Sequence, residues 1–253
     1  EDPAVLYDIS GNGHHGTIIG GATWTADGLQ FDGETGYVNV GDLGDLGPDY
    51  TVIAVAKTEK DANQAIFGRV SSTTVQDPTG KGFVIRKSST ANEWAHISYD
   101  GVENAFYQDN AKATHAIEDW TMLTARADTS SLDLALGPRV VGATGTTAGM
   151  VDHAGDYYVG RLSYIESWYF HGTISYIAVY DRKLDDDEVL AVQAAIREEL
   201  ALRGVELASP PLTDGLVAAY DFVQGENPAT LYDISGNGHH GTIIGGTLWT
   251  EEG

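Results

Sequence analysis

The chain has 253 residues, with 37 Asp and Glu against 14 Lys and Arg and a formal charge of −23. A surface this acidic repels nucleic-acid phosphates and anionic membranes, and no apolar run approaches the roughly 18 residues that a spanning helix needs, so neither nucleic acid nor membrane insertion is expected. There is no cysteine, which excludes disulfides and thiolate metal sites, and 31 glycines with 13 Tyr and 5 Trp favour strands and turns over helices.

The first element met along the chain is a repeat. Residues 1–28 recur at 226–253, with 22 of 28 positions identical at a shift of 225 residues, and the run Leu6–Gly21 returns unchanged as Leu231–Gly246. One repeat is the size of a whole domain, so the expected image is beads on a string rather than a solenoid. Next, Leu29–Asp32 and Tyr37–Val40 flank Gly33-Glu-Thr-Gly36, a hairpin signal. Tyr50–Ala56 is a continuous apolar run of the kind a buried strand shows. Further strands are predicted at Ala65–Val70, Gly82–Arg86, Glu93–Tyr99, Trp120–Ala127, Ser131–Leu136, Tyr157–Arg161 and Gly172–Tyr180. Their spacing, with Gly, Asp and Ser turns between them, indicates an all-β, two-sheet antiparallel sandwich.

One amphipathic helix closes this body. Asp185 is its predicted N-cap, Glu188 completes a capping box, and Leu184 and Val189 form a hydrophobic staple. Val189, Val192, Ile196 and Leu200 make its apolar stripe, and Gly204 stops it. The acids Asp185-Asp186-Asp187 suit the positive end of the helix dipole. Residues 208–214 read as a Pro-rich linker, and Gly215-Leu-Val-Ala-Ala-Tyr-Asp-Phe222 reads as an opening strand. The expected organisation is therefore a body at 1–207 lacking its own first strand, the linker, and at 215–253 either the first strands of the next repeat or a strand completing the same fold.

Gly215–Phe222 followed by Leu231-Tyr-Asp-Ile-Ser-Gly-Asn-Gly-His-His-Gly241 resembles the opening of laminin-G-like, concanavalin A-like jelly-roll domains. Leu29–Gly33 with Tyr37–Val40 resembles the next hairpin of that family. Tyr158-Val-Gly-Arg161 and Phe170–Leu184 resemble its closing strand and the turn into a helix. The stretch at about 58–118 matches poorly. The resemblance implies two antiparallel sheets, frequently a bound calcium, and roles in glycan binding, adhesion or surface architecture.

Calcium takes six to eight oxygens. Asp8, Asn12 and Asp32 are the ligand candidates, with Asp233 and Asn237 their equivalents in the repeat; the same Asp and Asn residues before Gly also suit tight turns. His14-His15 recurs as His239-His240, and neighbours on a strand point to opposite faces, so they do not chelate one metal. Tyr164, Trp168 and Tyr169 are the candidate ligand-binding aromatics, with Trp94, Tyr99, Phe106 and Tyr107 a second group. No Glu-x-Asp-x-x-Glu run, Gly-x-Ser-x-Gly elbow or cysteine nucleophile is present, so the chain is expected not to be an enzyme. The leading expectation is a structural and adhesive module of an extracellular, cell-surface or virion-surface protein, joined head to tail with neighbouring copies. The alternatives are a calcium-dependent carbohydrate-binding module, with glycans as partners, and a phage capsid-decoration or tail protein.

Overall fold

The computed structural model describes residues 2–71, 80–90, 92–101, 109–114, 119–137, 142–147, 149–163, 167–207, 230–231 and 241–242. The chain divides into two compact units, residues 1–208 and 209–253. In the first, the strands run in order as β1 (Val5–Leu6), β2 (Gly16–Ile19), β3 (Ala22–Trp24), β4 (Leu29–Asp32), β5 (Tyr37–Gly41), β6 (Tyr50–Thr58), β7 (Gln64–Val70) and β8 (Lys81–Lys87). They continue as β9 (Glu93–Asp100), β10 (Asp109–Thr114), β11 (Thr121–Ala127), β12 (Ser131–Leu136), β13 (Ala143–Thr146), β14 (Tyr157–Val159) and β15 (His171–Tyr180), and α1 (Asp186–Leu202) comes after them.

The strands form two antiparallel sheets. One has eight strands in the order β1-β2-β5-β14-β7-β8-β9-β10; the other has seven, β13-β12-β11-β6-β15-β4-β3. This is the expected two-sheet jelly-roll sandwich with one C-terminal helix. The main core lies between the inner faces and includes Phe31, Val38, Tyr50, Val52, Phe67, Phe83, Trp94, Leu123, Tyr157 and Phe170. Strand β6 runs apolar from Val52 to Ala56 because it is central and covered on both faces. Val52, Ala54 and Ala56 point into the main core, whereas Ile53 and Val55 meet Ile196, Leu200 and Val205 on the helix side.

Helix α1 therefore roofs the outer face of the seven-stranded sheet. Its start agrees with the sequence prediction: Asp185 accepts from the Glu188 amide at 2.9 Å and the Glu188 carboxylate accepts from the Asp185 amide at 3.0 Å. The buried stripe differs at one position, since Gln193 is buried and donates to Thr124 Oγ1 at 2.9 Å. At the end of the helix Gly204 takes φ +76°, a left-handed conformation that favours glycine.

Two strands depart from the expected pattern at their ends. The closing strand predicted at 157–161 stops at Val159, because Gly160 turns at φ +83° with Phe31 ring carbons 2.6 Å from where a Cβ would stand. Strand β15 pairs with β6 through Tyr180, but with β4 only from His171 to Ile174. Among the described residues no strand pairs with Ser175–Tyr180 on the β4 side, and Ile177 and Val179 there are only partly buried against the core.

In the second unit β16 (Thr230–Leu231) and β17 (Gly241–Thr242) pair antiparallel, Thr230 opposite Thr242 and Leu231 opposite Gly241. The first copy of the repeat has the same register, Val5 opposite Thr17 and Leu6 opposite Gly16. The repeated sequence thus forms the same strand pair twice, with Thr230 in the place of Val5. The predicted strand at 215–222 lies outside the described residues.

Candidate functional site

With α1 on one side of the sandwich, the outer face of the eight-stranded sheet is the one that no described helix covers. Strands β5 and β14 are neighbours there, with Val159 opposite Val38 and Tyr158 opposite Asn39. Val38 and Val159 belong to the main core, so strand alternation sends Tyr37 and Tyr158 to the outer face. The Gly160 turn then carries the chain across that face. Gly160 donates to the Ile66 carbonyl at 3.0 Å, the Ala65 amide donates to the Trp168 carbonyl at 2.8 Å, and the Phe170 amide returns to Gly160 O at 2.8 Å.

This crossing segment brings Arg161, Trp168 and Tyr169 onto the sheet. Arg161 packs against both rings, its Cζ lying 4.1 Å from the Tyr37 ring centroid and 4.4 Å from that of Tyr158. Tyr37 also meets Tyr158 at 5.9 Å and Tyr169 at 6.4 Å. Further along, Trp168 packs on a second apolar cluster of Ala65, Val84, Ala95, Ile97 and Leu162, and the Arg86 guanidinium lies 4.9 Å from its ring. Burial lowers the Arg86 pKa, and its Nη1 donates to Asn63 Oδ1 at 2.6 Å. Trp168 holds φ +56°, a region that non-glycine residues enter at a cost of about 1 kcal/mol or more and that clusters at binding sites.

Trp168 and Tyr169 are therefore joined by Tyr37, Tyr158, Arg86 and Arg161, none of which stood out in the sequence. The signal available was the doubling Tyr157-Tyr158, in which one ring must face outward, with an arginine three residues further on. Tyr164 lies outside the described residues. Of the second aromatic group, Trp94 is wholly enclosed in the main core and Tyr99 is buried in the outer cluster, so neither offers a free ring; Phe106 and Tyr107 lie outside the described residues.

The candidate calcium ligands are engaged in turns. The Asp8 carboxylate accepts from the Ser10 amide (2.8 Å), the Ser10 hydroxyl (2.9 Å) and the His14 amide (2.9 Å), and these donors, Ser10 first, pull its pKa down to about 2. Asp32 accepts from the amides of Glu34, Thr35 and Gly36 and from the Thr35 hydroxyl. Burial works against its ionisation, but those donors outweigh it and hold the carboxyl well below the usual range. Among the described residues no group of three or more His, Cys, Asp or Glu could hold a metal ion. As placed, the Asp8 and Asp32 carboxylates act as the acceptors that shape their own turns. Asn12 is exposed in the Asp8 loop, and Asp233 and Asn237 lie outside the described residues.

Three acids near the helix start are paired: Asp186 with Arg126 at 2.7 Å, Glu188 with Arg182 at 2.7 Å, and Asp128 with Lys183 at 2.8 Å. No helix of the described structure is long and apolar enough to cross a membrane.

No protein-family model and no curated protein matches the chain. Solved structures do. The botulinum neurotoxin serotype D binding domain aligns with a TM-score of 0.56 at 10% identity, over 74% of this chain and 48% of that one. Trypanosoma rangeli sialidase aligns with a TM-score of 0.56 at 11% identity, over 79% of this chain and 32% of that one. Domain 4 of AbnA, an extracellular arabinanase of Geobacillus stearothermophilus solved with arabinotriose, aligns with a TM-score of 0.50 at 15% identity, over 76% and 93%. At such identities the likeness speaks for the fold alone: this chain carries the concanavalin A-like jelly-roll sandwich.

Proposed function

We propose that the chain is a non-catalytic, extracellular glycan-binding module whose sugar-facing surface is the outer face of the eight-stranded sheet. The observation that carries this reading is the gathering of Tyr37, Tyr158, Tyr169 and Trp168, with two guanidiniums, on the face that α1 leaves open. Half-buried rings offer flat apolar surface to the C–H face of a sugar, and guanidinium N–H groups donate to its oxygens. The non-catalytic part is supported by five of the acids themselves, since Asp8, Asp32, Asp128, Asp186 and Glu188 are each held in a turn or an ion pair. The arabinotriose held by AbnA domain 4 supports the same reading by analogy of fold.

Binding of the full chain to a glycan array, with titration calorimetry on the best hit, tests it. Trp168→Ala and Tyr158→Ala should each weaken binding about tenfold or more, a loss of about 1.4 kcal/mol. Trp24→Ala, an exposed ring on the other sheet, should leave it unchanged, and so should EDTA, because Asp8 and Asp32 are already satisfied. Binding that survives both sheet-face variants, or that disappears with chelator, would overturn the assignment.

A second reading, of modules joined head to tail, is favoured by one observation, the unpaired edge of β15 at Ser175–Tyr180 among the described residues. An open edge of a sheet is a template for an added strand, and Gly215–Phe222 is the opening strand that the sequence supplies. In this reading the segment from one copy seats on β15 of another.

A further inference from the structure

The described structure buries four cations: Arg69, Lys87, Arg126 and Arg161. Three of them obey the rule that a buried charge must be paired. Arg69 contacts Asp152 at 2.5 Å and Asp42 at 2.9 Å, Lys87 contacts Asp61 at 2.5 Å, and Arg126 contacts Asp186 at 2.7 Å. Arg161 breaks the rule. It is 9% exposed, its Nε is buried without a hydrogen-bond partner, and among the described residues no carboxylate lies within ion-pair distance of it. Scarcity of acids does not explain this, because the chain carries 37 of them. The two tyrosine rings compensate part of the charge, but rings accept none of the directional hydrogen bonds that a guanidinium fork offers.

We propose that Arg161 is the anion-reading residue of this face, and that the glycan bound there carries an acidic group, a carboxylate or a sulfate ester. The proposal rests on the glycan-binding reading above and narrows it to one ligand class. Arginine suits the task because its planar fork meets a pair of anionic oxygens with two parallel N–H donors. Tyr37 and Tyr158 pack against the guanidinium and restrict the side chain in advance, so little of its freedom is lost on binding. The chain's net charge repels anionic polymers at long range, which makes a short oligosaccharide with one acidic group the fitting ligand rather than a polyanion.

The test uses the full chain and matched short oligosaccharides in four arms: uronate- or sialyl-bearing, the same sugars as methyl esters, sulfated, and neutral. Calorimetry should show the carboxylate or sulfate arm bound at least tenfold more tightly than the methyl-ester and neutral arms, and comparison of the two acidic arms identifies the group. Arg161→Gln should erase that preference and Arg161→Lys should recover only part of it, with the unfolding midpoint of each variant showing that the fold persists. Equal binding of all four arms by the unaltered chain would overturn the proposal while leaving glycan binding intact. Absence of binding in all four arms would sink both. The comparison of acidic with esterified and neutral sugars needs no variant, so it decides the matter even where an Arg161 substitution fails to fold.

Discussion

His96 is buried in the main core with both ring nitrogens engaged. Nδ1 faces the Asp133 carbonyl at 3.1 Å, so it carries the proton, and Nε2 then accepts from the Tyr50 hydroxyl at 2.8 Å. The neutral ring satisfies both partners, and a second proton would face the Tyr50 oxygen in a dry site. Burial accordingly lowers the His96 pKa from 6.5 to about 4. Between those values the unfolded chain takes up a proton that the folded one refuses, so stability is full above pH 6.5 and falls as pH drops toward 4. The loss is on the order of 3 kcal/mol and levels off below pH 4. Further acid lability there belongs to the strongly hydrogen-bonded carboxylates of Asp32 and Asp128, whose pKa values lie well below the ordinary range. Urea unfolding at a series of pH values checks this: His96→Gln should be less stable at pH 7 yet nearly flat from 6.5 to about 5, above the range where the carboxylates contribute. An equal slope in the variant would place the proton uptake elsewhere. None of this was legible in the sequence, where His96 sits in an ordinary alternating strand. Asp8 and Asp32 show the converse limit, since an acid in a glycine-bent loop fits a metal loop and a turn equally well until the donors are seen.

At the level of elements, the strands and the helix announced themselves through period and capping, because those features depend on residues close together in sequence. Val189, Ile196 and Leu200 lie on one stripe of α1 and are all buried, the last two against Ile53, Val55 and Met122 of the sheet. What stayed hidden was set by contacts distant in sequence. Gln193 breaks the apolar stripe only because Thr124, 69 residues away, receives its amide. The end of β14 is set by the Phe31 ring beneath Gly160. That glycine is the element on which the binding face depends, since its turn delivers Arg161 to the tyrosines and Trp168 to Arg86. Gly160→Ala combines a disfavoured φ of +83° with a Cβ 2.6 Å from an aromatic carbon. It should cost about 2–4 kcal/mol, at the upper end of single-residue effects. It should also weaken glycan binding more than Trp24→Ala does. The unfolding midpoint and the binding constant, measured on the same preparation, read both effects, and an unchanged midpoint would mean that the turn is not held as described.

For the whole molecule, the repeat and the open edge of β15 constrain each other. The second unit's hairpin reproduces the register of the first, so the repeated sequence carries its own local structure. The edge at Ser175–Tyr180 belongs to a strand whose inward side chains Ile177 and Val179 are only partly covered, and a strand laid along it would bury them further. Gly215–Phe222 has the composition for that place, with apolar residues on both sides of its alternation and one acid. Strand addition between copies predicts that the full chain self-associates as its concentration rises, and that a synthetic peptide of residues 213–224 competes. Substituting proline for Ala218 and Ala219 in the peptide removes two backbone donors and should abolish the competition without touching the folded protein. Light scattering over a hundredfold range of concentration reads the association directly. A mass that stays monomeric throughout, with no binding of the unmodified peptide, would leave the β15 edge without a role in assembly. Joined in this way, modules that each bind a sugar weakly would gain avidity from their number.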